Sequence, residues 1–141
     1  MILPHRASKF CAGGATDNVE GNMAGVETLD FNSPDETRSP EKTRVDVVRT
    51  HGTTAARFAF EPGWKWSECV KPVAGTDSCQ ARHVGVIQSG RMHVAHEDGT
   101  DVEFGAGDAY VIEPGHDAWV VGDEGVVAFE FEPRSAEEYA R

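Results

Sequence analysis

The sequence lacks the features that mark several large classes of protein. None of its apolar runs approaches the length that is needed to cross a membrane. Lys and Arg number 13 against 24 Asp and Glu, which gives a formal net charge of -11, and the basic residues form no cluster. Nucleic-acid phosphates and anionic membrane surfaces both select clustered basic residues. We therefore expect neither a nucleic-acid partner nor a membrane partner.

Cysteine is also scarce. The chain has three cysteines, Cys11, Cys69 and Cys79, and no Cys-x-x-Cys pair. A secreted disulfide framework usually has an even number of cysteines, and the N-terminus has no apolar stretch typical of a secretory signal. The sequence therefore predicts free thiols in a cytoplasmic protein.

Motifs that would identify a reaction are missing as well. There is no Gly-x-Ser-x-Gly, no phosphate-binding loop, and no Gly-x-Gly-x-x-Gly placed after a predicted strand. The motifs therefore leave open whether the protein is an enzyme.

The regular feature is a succession of short strand-forming segments. From Val45 onward, about nine segments rich in β-branched and aromatic residues alternate with turns such as Asp98-Gly99 and Pro114-Gly115. Trp64–Val70 and Cys79–Gln88 are two of these predicted strands. Ser135, with Glu138 three residues later, predicts a short C-terminal helix. The pattern is typical of an all-β protein, and we predict a jelly-roll β-barrel.

A length of 141 residues is that of one domain. Residues 1–28 show no apolar periodicity, and we expect a disordered N-terminal tail. Residues 29–44 are polar and contain two prolines, which predicts a surface arm. Residues 45–141 then form the barrel domain.

The region from Phe60 to Phe131 resembles the cupin family, which has two motifs: Gly-x5-His-x-His, a short gap, Glu-x6-Gly; and Gly-x5-Pro-x-Gly-x2-His. Here five residues separate Gly63 from Cys69, and six separate His83 from Gly90. Gly107-Asp108 is followed at the matching distance by Glu113-Pro114-Gly115. The resemblance implies a jelly-roll barrel, a homodimer, and one divalent metal such as zinc, iron, nickel or manganese.

The metal ligands of that family are altered in this sequence. The resemblance places Cys69, Lys71, His83 and Ala118 where cupins usually have His, His, Glu and His. A second placement shortens the gap before His83 by putting Asp77 and Cys79 at the first two positions, but it loses the Gly63 spacing.

His116 lies two residues before Ala118 and therefore shares its strand face. Cys69, His83 and His116 are thus our candidate metal ligands. One thiolate and two imidazoles suit zinc, and suit iron or copper less specifically. The alternative is that each is a hydrogen-bonded polar residue of the barrel. Cys69 or Cys79 beside His83 could also form a thiol–imidazole pair.

Aromatic and polar residues around these positions are candidates for a ligand pocket. The candidate pocket residues are Trp66, Lys71, Cys79, Tyr110, Asp117 and Trp119. His93 and His96 are three apart on a predicted strand, so they face opposite sides and cannot bind one ion there.

Three functions follow as hypotheses. The first is binding of a small organic ligand in the barrel, with the reaction unassigned. The second is a metal-dependent oxygenase, isomerase or lyase acting on a small polar substrate. The third is a dimeric module without a small ligand. Fold resemblance alone does not choose between them.

Overall fold

The computed structural model describes residues 25–50, 52–132, 134–135 and 139. The predicted disorder of residues 1–28 falls almost wholly outside this part of the chain, and so do Cys11 and Glu138. Residues 25–28 are described and belong to no helix or strand.

The described chain is built of short antiparallel strands. They are β1 (Glu36–Arg38), β2 (Thr43–Thr50), β3 (Thr53–Phe60), β4 (His83–Ser89), β5 (Arg91–His96), β6 (Asp101–Gly105), β7 (Ala109–Ile112), β8 (His116–Val120) and β9 (Val126–Glu130). Two helical turns, α1 (Trp66–Cys69) and α2 (Lys71–Ala74), lie between β3 and β4. None of the helical segments in the described ranges has the length and apolar character that crossing a bilayer requires.

The strands form two sheets that enclose the core. The larger sheet has the order β1-β2-β3-β9-β4-β7, and the smaller has the order β6-β5-β8. Side chains from both sheets, such as Phe58 and Ile87 from one and Met92 and Val120 from the other, belong to one buried cluster. Two antiparallel sheets packed around one core confirm the predicted all-β jelly-roll barrel.

Alternation along the strands brings polar groups into this core. In β8 and β9, buried and half-buried residues alternate strictly, and β4 begins with the same pattern. The inward positions include His83 on β4, His116 on β8 and Glu130 on β9, which are all buried. Polar residues at core positions are uncommon and need partners, so these three residues mark the site.

The predicted strand Trp64–Val70 is wrong, because its centre is the helical turn α1. The backbone N–H of Cys69 donates to the carbonyl oxygen of Lys65 at 2.9 Å. Asp117 on β8 stabilises this turn, since its carboxylate accepts from the Ser67 backbone N–H at 3.0 Å and from the Ser67 hydroxyl at 2.8 Å. The Ser67 N–H is one of the first-turn donors that a helix leaves without an internal partner.

The strand predicted to begin at Cys79 begins instead at His83. Cys79 forms an isolated bridge to His116 on the other sheet. The predicted C-terminal helix is represented by Arg134 and Ser135, which are helical, and by a 3.3 Å hydrogen bond from the Tyr139 N–H to the Ser135 carbonyl oxygen.

Candidate metal centre

A small cavity lies between the two sheets at the inward polar residues. It offers about 30 Å³ to a molecule of the size of water. Its lining residues are Phe58, Phe60, Trp64, Trp66, Cys79, His83, Met92, Tyr110, Ile112, His116, Ala118, Ala128, Glu130 and Tyr139. The wall is thus mainly apolar and aromatic, with one thiol, two imidazoles and one carboxylate among the polar groups.

Three potential metal ligands meet at this cavity. Ligand atoms of Cys79, His83 and His116 all lie within 4.8 Å of one another, and all three residues are buried. The backbone of Cys79 fixes this arrangement, because its N–H donates to the His116 carbonyl at 2.8 Å while its carbonyl accepts from the Gly115 N–H at 2.7 Å. A buried Cys/His/His group of this kind could hold a metal ion.

Each imidazole is oriented through its Nδ1 atom. His116 Nδ1 lies 2.8 Å from the carbonyl oxygen of Glu113, which can only accept, so this nitrogen carries the proton. His83 Nδ1 lies 2.8 Å from Glu130 Oε1. The Nε2 atoms remain for the cavity, and His83 Nε2 is 3.7 Å from Cys79 Sγ. Partners of this kind orient the histidine ligands in metalloproteins.

The Glu130 carboxylate is held by three donors. Besides His83, the hydroxyls of Tyr110 and Ser135 donate to it, each at 2.7 Å. Gly85 on β4 lies between Tyr110 and Glu130, and it pairs with both strands. A Cβ atom at Gly85 would lie 2.9 Å from the Tyr110 hydroxyl and 2.3 Å from the Phe129 carbonyl oxygen. Only glycine therefore allows this close approach.

The electrostatics of the group favour charged forms despite burial. Burial raises the pKa of Cys79, but hydrogen bonds to His116 and His83 and their charges outweigh it and lower this pKa to about 6. Burial lowers the pKa of His83, but the Glu130 charge and the hydrogen bonds to Cys79 and Glu130 raise it to about 10. The pKa of Glu130 is lowered, because the charge and hydrogen bond of His83 and the hydroxyls of Tyr110 and Ser135 outweigh its burial.

Two kinds of chemistry fit this geometry. One thiolate and two imidazoles are a ligand set for zinc, with a further position open. The same atoms also form a thiol–imidazole–carboxylate series, Cys79–His83–Glu130, in the order that activates a nucleophilic cysteine.

Of the predicted ligands, the structure brings His83 and His116 together and leaves Cys69 out. Cys69 is buried in α1 and does not belong to the group of donors. Its predicted position assumed a strand, and the helical turn changes the direction of the side chain. Cys79 provides the sulfur instead.

Three of the predicted pocket residues, Trp66, Cys79 and Tyr110, line the cavity. The others do not. The Lys71 side chain is about half exposed and pairs at 4.0 Å with the exposed Asp77. Asp117 holds α1. Trp119 stacks on His93 with a centroid distance of 4.6 Å, on the opposite side of β8 from His116.

Sequence reasoning missed Glu130, Trp64 and Tyr139 as residues of the site. Glu130 had a readable signal, since Val126, Ala128 and Glu130 share one face of a predicted strand and the first two are apolar. Tyr139 comes from beyond the last strand, and Trp64 precedes a turn that was expected to be a strand. No comparable pattern points to these two.

A larger groove lies along the edge strands β6 and β7 of the two sheets. It has a volume of about 580 Å³ and shares Tyr110 and Ile112 with the inner cavity. Its lining contains Asp98, Glu103, Asp108 and Glu113 and no Lys or Arg. The groove is therefore acidic at its rim, and it lies next to the inner cavity at the two shared residues.

Comparison with known proteins gives a fold. No protein-family model and no curated protein matches the sequence. The solved structure of KdgF from Halomonas sp. is 18% identical, with a TM-score of 0.54 over 77% of this chain and 95% of that chain. An RmlC-like cupin from Shewanella frigidimarina is 17% identical, with a TM-score of 0.53 over 80% of this chain and 97% of that one.

A protein of unknown function from Rhizobium leguminosarum is 19% identical, with a TM-score of 0.53 over 77% of this chain and 97% of that chain. Identities this low carry the fold and not the activity. The two-sheet barrel, its turn spacing and these neighbours agree with the resemblance seen in the sequence: the chain has the cupin fold.

Proposed function

We propose that this protein is a metal-binding cupin in which Cys79 Sγ, His83 Nε2 and His116 Nε2 bind one zinc ion. The observation that carries the proposal is the convergence of these three ligand atoms within 4.8 Å in a buried site. The sequence alone favoured binding of an organic ligand, whereas the geometry supports the metal centre best.

The surrounding residues fit the role of support for a metal. His116 is fixed by the Glu113 carbonyl and His83 by Glu130, so neither imidazole has to reorganise to present Nε2. A zinc ion with three protein ligands would act as a Lewis acid and lower the pKa of a bound water. The apolar wall of the cavity would exclude bulk water from the site.

The thiol–imidazole–carboxylate alternative is less well supported by the cavity. A nucleophilic cysteine needs room for the carbonyl or other group that it attacks, and the space beside Cys79 is about 30 Å³. Ligand sites for organic molecules typically measure about 300–1,000 Å³. Alkylation by iodoacetamide distinguishes the two functions, because a zinc-bound and buried thiolate reacts slowly, whereas an activated nucleophile reacts faster than a free thiol.

Metal analysis of the full chain tests the metal centre. The protein is purified without chelator and without a metal-affinity column, and its metal content is measured by mass spectrometry. We expect about one zinc ion per chain. Cys79→Ser should remove most of it. Cys69→Ser is the matched control, because Cys69 and Cys79 are equally buried at 7% exposure. Equal metal content in the two variants would contradict the proposal.

A second candidate function is binding of a small organic ligand, and the outer groove favours it. The groove volume of about 580 Å³ is within the usual range for such sites, and the inner cavity is not. Arg82 pairs with Glu113 and Arg91 with Glu103, so Asp98 and Asp108 are the rim carboxylates that the described structure pairs with no Lys or Arg, although Asp98 lies 3.1 Å from His96 Nδ1. An amine with an apolar body would suit this groove.

A screen by thermal shift tests the groove, with alkylamines compared against alcohols and carboxylates of the same carbon skeleton. We expect the amines to raise the melting temperature of the wild type and not that of Asp98→Asn. Equal shifts for all three ligand classes would exclude charge recognition by the groove.

A homodimer in the cytoplasm remains part of the proposal. Phe131, Val84 and Val111 lie in one row on the outer face of the larger sheet, and Phe131 and Val111 are more than half exposed. Such an apolar row is typical of a protein interface. Cys69 and Cys79 are both free thiols, which supports a reducing compartment. Light scattering of the wild type and of Val111→Asp would test the dimer.

A further inference from the structure

The wall of the inner cavity is unevenly buried. Fourteen described residues line it, and twelve of them are buried. Tyr110 and Ile112 are the two that are only half-buried. These two residues also line the outer groove along β6 and β7. Among the residues that the structure describes, the least buried part of the cavity wall is therefore the part that the cavity shares with the groove.

The core face of the smaller sheet is exposed at this groove. Val102 on β6 pairs with Val94 on β5, and directly paired residues of antiparallel strands lie on the same face. Val94 belongs to the buried core, yet Val102 is 48% exposed and lines the groove. Since β6 and β7 are edge strands of different sheets, no ladder of hydrogen bonds closes the described barrel between them. The groove thus leads toward the space between the two sheets.

The Tyr110 side chain fills the space between these two strands. Its ring packs on Phe104 of β6 with a centroid distance of 5.1 Å, and its hydroxyl donates to Glu130 Oε2 at 2.7 Å. Gly85, which is paired with Tyr110 on β4, provides room for the phenol, because a Cβ atom there would lie 2.9 Å from the hydroxyl. One side chain therefore reaches from the groove to the carboxylate that orients His83.

We propose that the outer groove is the entrance to the metal centre and that Tyr110 is its specificity-determining residue, which limits by size the molecules that reach the buried Cys/His/His group. The inference rests on the metal centre proposed above, since it concerns access to those ligands. The inner cavity of about 30 Å³ is too small for an organic molecule, so the Tyr110 ring has to move before one can enter. The acidic rim of the groove favours small neutral or cationic molecules over anions.

Thiol modification of the metal-free full chain tests the entrance, with Cys79 as the probe. Methyl and benzyl methanethiosulfonate share one reacting group and differ in size, and peptide mass mapping separates Cys79 from Cys11 and Cys69. The benzyl-to-methyl ratio of the rates is independent of the thiolate fraction, which affects both rates equally. We expect the benzyl reagent to react far more slowly with the wild type. Tyr110→Ala should reduce this size selectivity by about tenfold, because passage no longer requires a local opening.

Two variants are controls for this measurement. Tyr110→Phe keeps the ring and loses the hydroxyl, so its size selectivity should equal that of the wild type. Tyr139→Ala removes an equally large side chain from a buried part of the same wall and should reduce the selectivity less. An unchanged selectivity in Tyr110→Ala, or an equal reduction in either control, overturns the proposal.

A second measurement does not require Tyr110→Ala to fold. Val102→Trp fills part of the groove from an exposed position and should slow the reaction of the methyl reagent with Cys79 severalfold. Val73→Trp is the matched control, since Val73 is 59% exposed and does not line the groove. An unchanged rate in Val102→Trp overturns the groove as the entrance.

The charge preference is tested with 2-aminoethyl and 2-sulfonatoethyl methanethiosulfonate, which are similar in size and opposite in charge. Each rate is divided by the rate of glutathione with the same reagent. We expect Cys79 to react faster with the cationic reagent, and Asp98→Asn to narrow the difference. Asp123→Asn is the matched control, because it removes one charge from an exposed residue outside the groove. Equal normalised rates for the two reagents, or equal narrowing in the two variants, overturn the charge preference.

These outcomes separate the entrance from the metal centre itself, because the rates are measured without metal. Zinc in the wild type together with a size selectivity that does not depend on Tyr110 overturns the entrance alone. Absence of zinc from the wild type together with a selectivity that depends on Tyr110 overturns the metal centre and supports the groove as the route to the Cys/His/His group.

Discussion

Asp46 and Glu130 are two buried carboxylates on opposite faces of the same sheet. Asp46 on β2 is 1% exposed and faces away from the barrel, because its neighbours Val45 and Val47 are in the core. Glu130 on β9 is 5% exposed and faces into the barrel. Both have several hydrogen-bond donors, as buried charges require. The two carboxylates differ in whether their donor groups can also bind a metal.

The partners of Asp46 end the network. Its carboxylate accepts from the Thr37 hydroxyl at 2.8 Å, from Arg44 Nε at 3.0 Å and from Arg57 Nη2 at 3.0 Å. Guanidinium groups have no lone pair for a metal and do not lose their proton. The Asp46 cluster therefore has the composition of a structural ion pair.

One partner of Glu130, His83, connects the carboxylate to the cavity. His83 uses Nδ1 on the carboxylate and keeps Nε2 for the cavity, where Cys79 and His116 lie. Glu130 can thus orient the imidazole of His83 through Nδ1 while Nε2 stays available to a metal, which is a role that an arginine cannot fill. Burial alone does not distinguish a functional carboxylate from a structural one, whereas the identity of its donors does.

Glu130→Gln should have the largest effect of the changes that test this comparison. Gln keeps the shape but removes the charge that orients and polarises His83, so zinc affinity should fall by about 10–100-fold. Competition with a chromophoric chelator measures it. Asp46→Asn should leave zinc affinity unchanged. Equal losses of zinc affinity in the two variants would mean that both carboxylates act on the metal centre through overall stability. The proposed difference between a functional and a structural carboxylate would then be wrong.

Asp46→Asn should act on stability instead. The amide cannot satisfy three donors, and two guanidinium groups lose their counter-charge, which should lower the free energy of unfolding by about 1–2 kcal/mol. The lower end is expected because the Arg44 side chain is 59% exposed and water replaces part of the lost interaction. Urea denaturation in the presence of chelator measures the change. The exposed Asp123→Asn is the control, with an expected change within about 0.5 kcal/mol.

The wild type and Asp46→Asn should also differ in how their stability responds to acid. Burial raises the pKa of Asp46, but hydrogen bonds from Thr37, Arg57 and Arg44 outweigh it and lower the pKa below its ordinary value of 3.8. A lowered pKa in the folded state contributes stability above the ordinary pKa, and this contribution is lost as pH falls through the folded-state value.

The stability difference between the wild type and Asp46→Asn should therefore be constant above about pH 5 and shrink as pH falls below the ordinary pKa of Asp. Urea denaturation at a series of pH values measures this difference. A difference that grows on acidification would mean that Asp46 is not ionised in the folded protein.

Asp117→Ala tests a carboxylate that sequence reasoning assigned to the pocket. Its oxygens hold the Ser67 N–H and hydroxyl at the start of α1. Loss of such a cap typically lowers stability by about 1 kcal/mol. We expect this loss in thermal denaturation with unchanged zinc content, and Ser67→Ala should show part of the same loss. A fall in zinc content with unchanged stability would instead indicate that Asp117 belongs to the metal site.

The fold was predictable because its signals are local. Alternating residues and turn glycines are read from a few neighbouring positions, and they were sufficient for β2, β3 and the strands from β5 to β9. The segment from Trp64 to Val70 has the strand-forming composition as well, and its helical turn depends on Asp117, fifty positions away. A contact at that distance leaves no trace in local composition.

The site was predictable only in part for a similar reason. His83 and His116 were found because each lies at a position defined by turn spacing. The choice between Cys69 and Cys79 depended on whether the chain before β4 is a strand or a turn. Cys79 reaches the group through backbone hydrogen bonds to Gly115 and His116, which connect different parts of the barrel. Spacing along the chain cannot reveal such a connection.

Lys71→Ala should have the smallest effect of all, and it tests the boundary of the site. The sequence placed Lys71 at a ligand position, whereas its side chain is 44% exposed and pairs only loosely, at 4.0 Å, with the exposed Asp77. Surface pairs of this kind contribute little, so zinc content should be unchanged and the melting temperature nearly so. Trp66→Ala is the contrast within the same stretch, because Trp66 lines the cavity and its removal should lower stability by about 3–5 kcal/mol. If Lys71→Ala reduces zinc content while the fold is intact, the metal centre extends beyond the three residues, and the larger ligand set that the resemblance implies would have to be reconsidered.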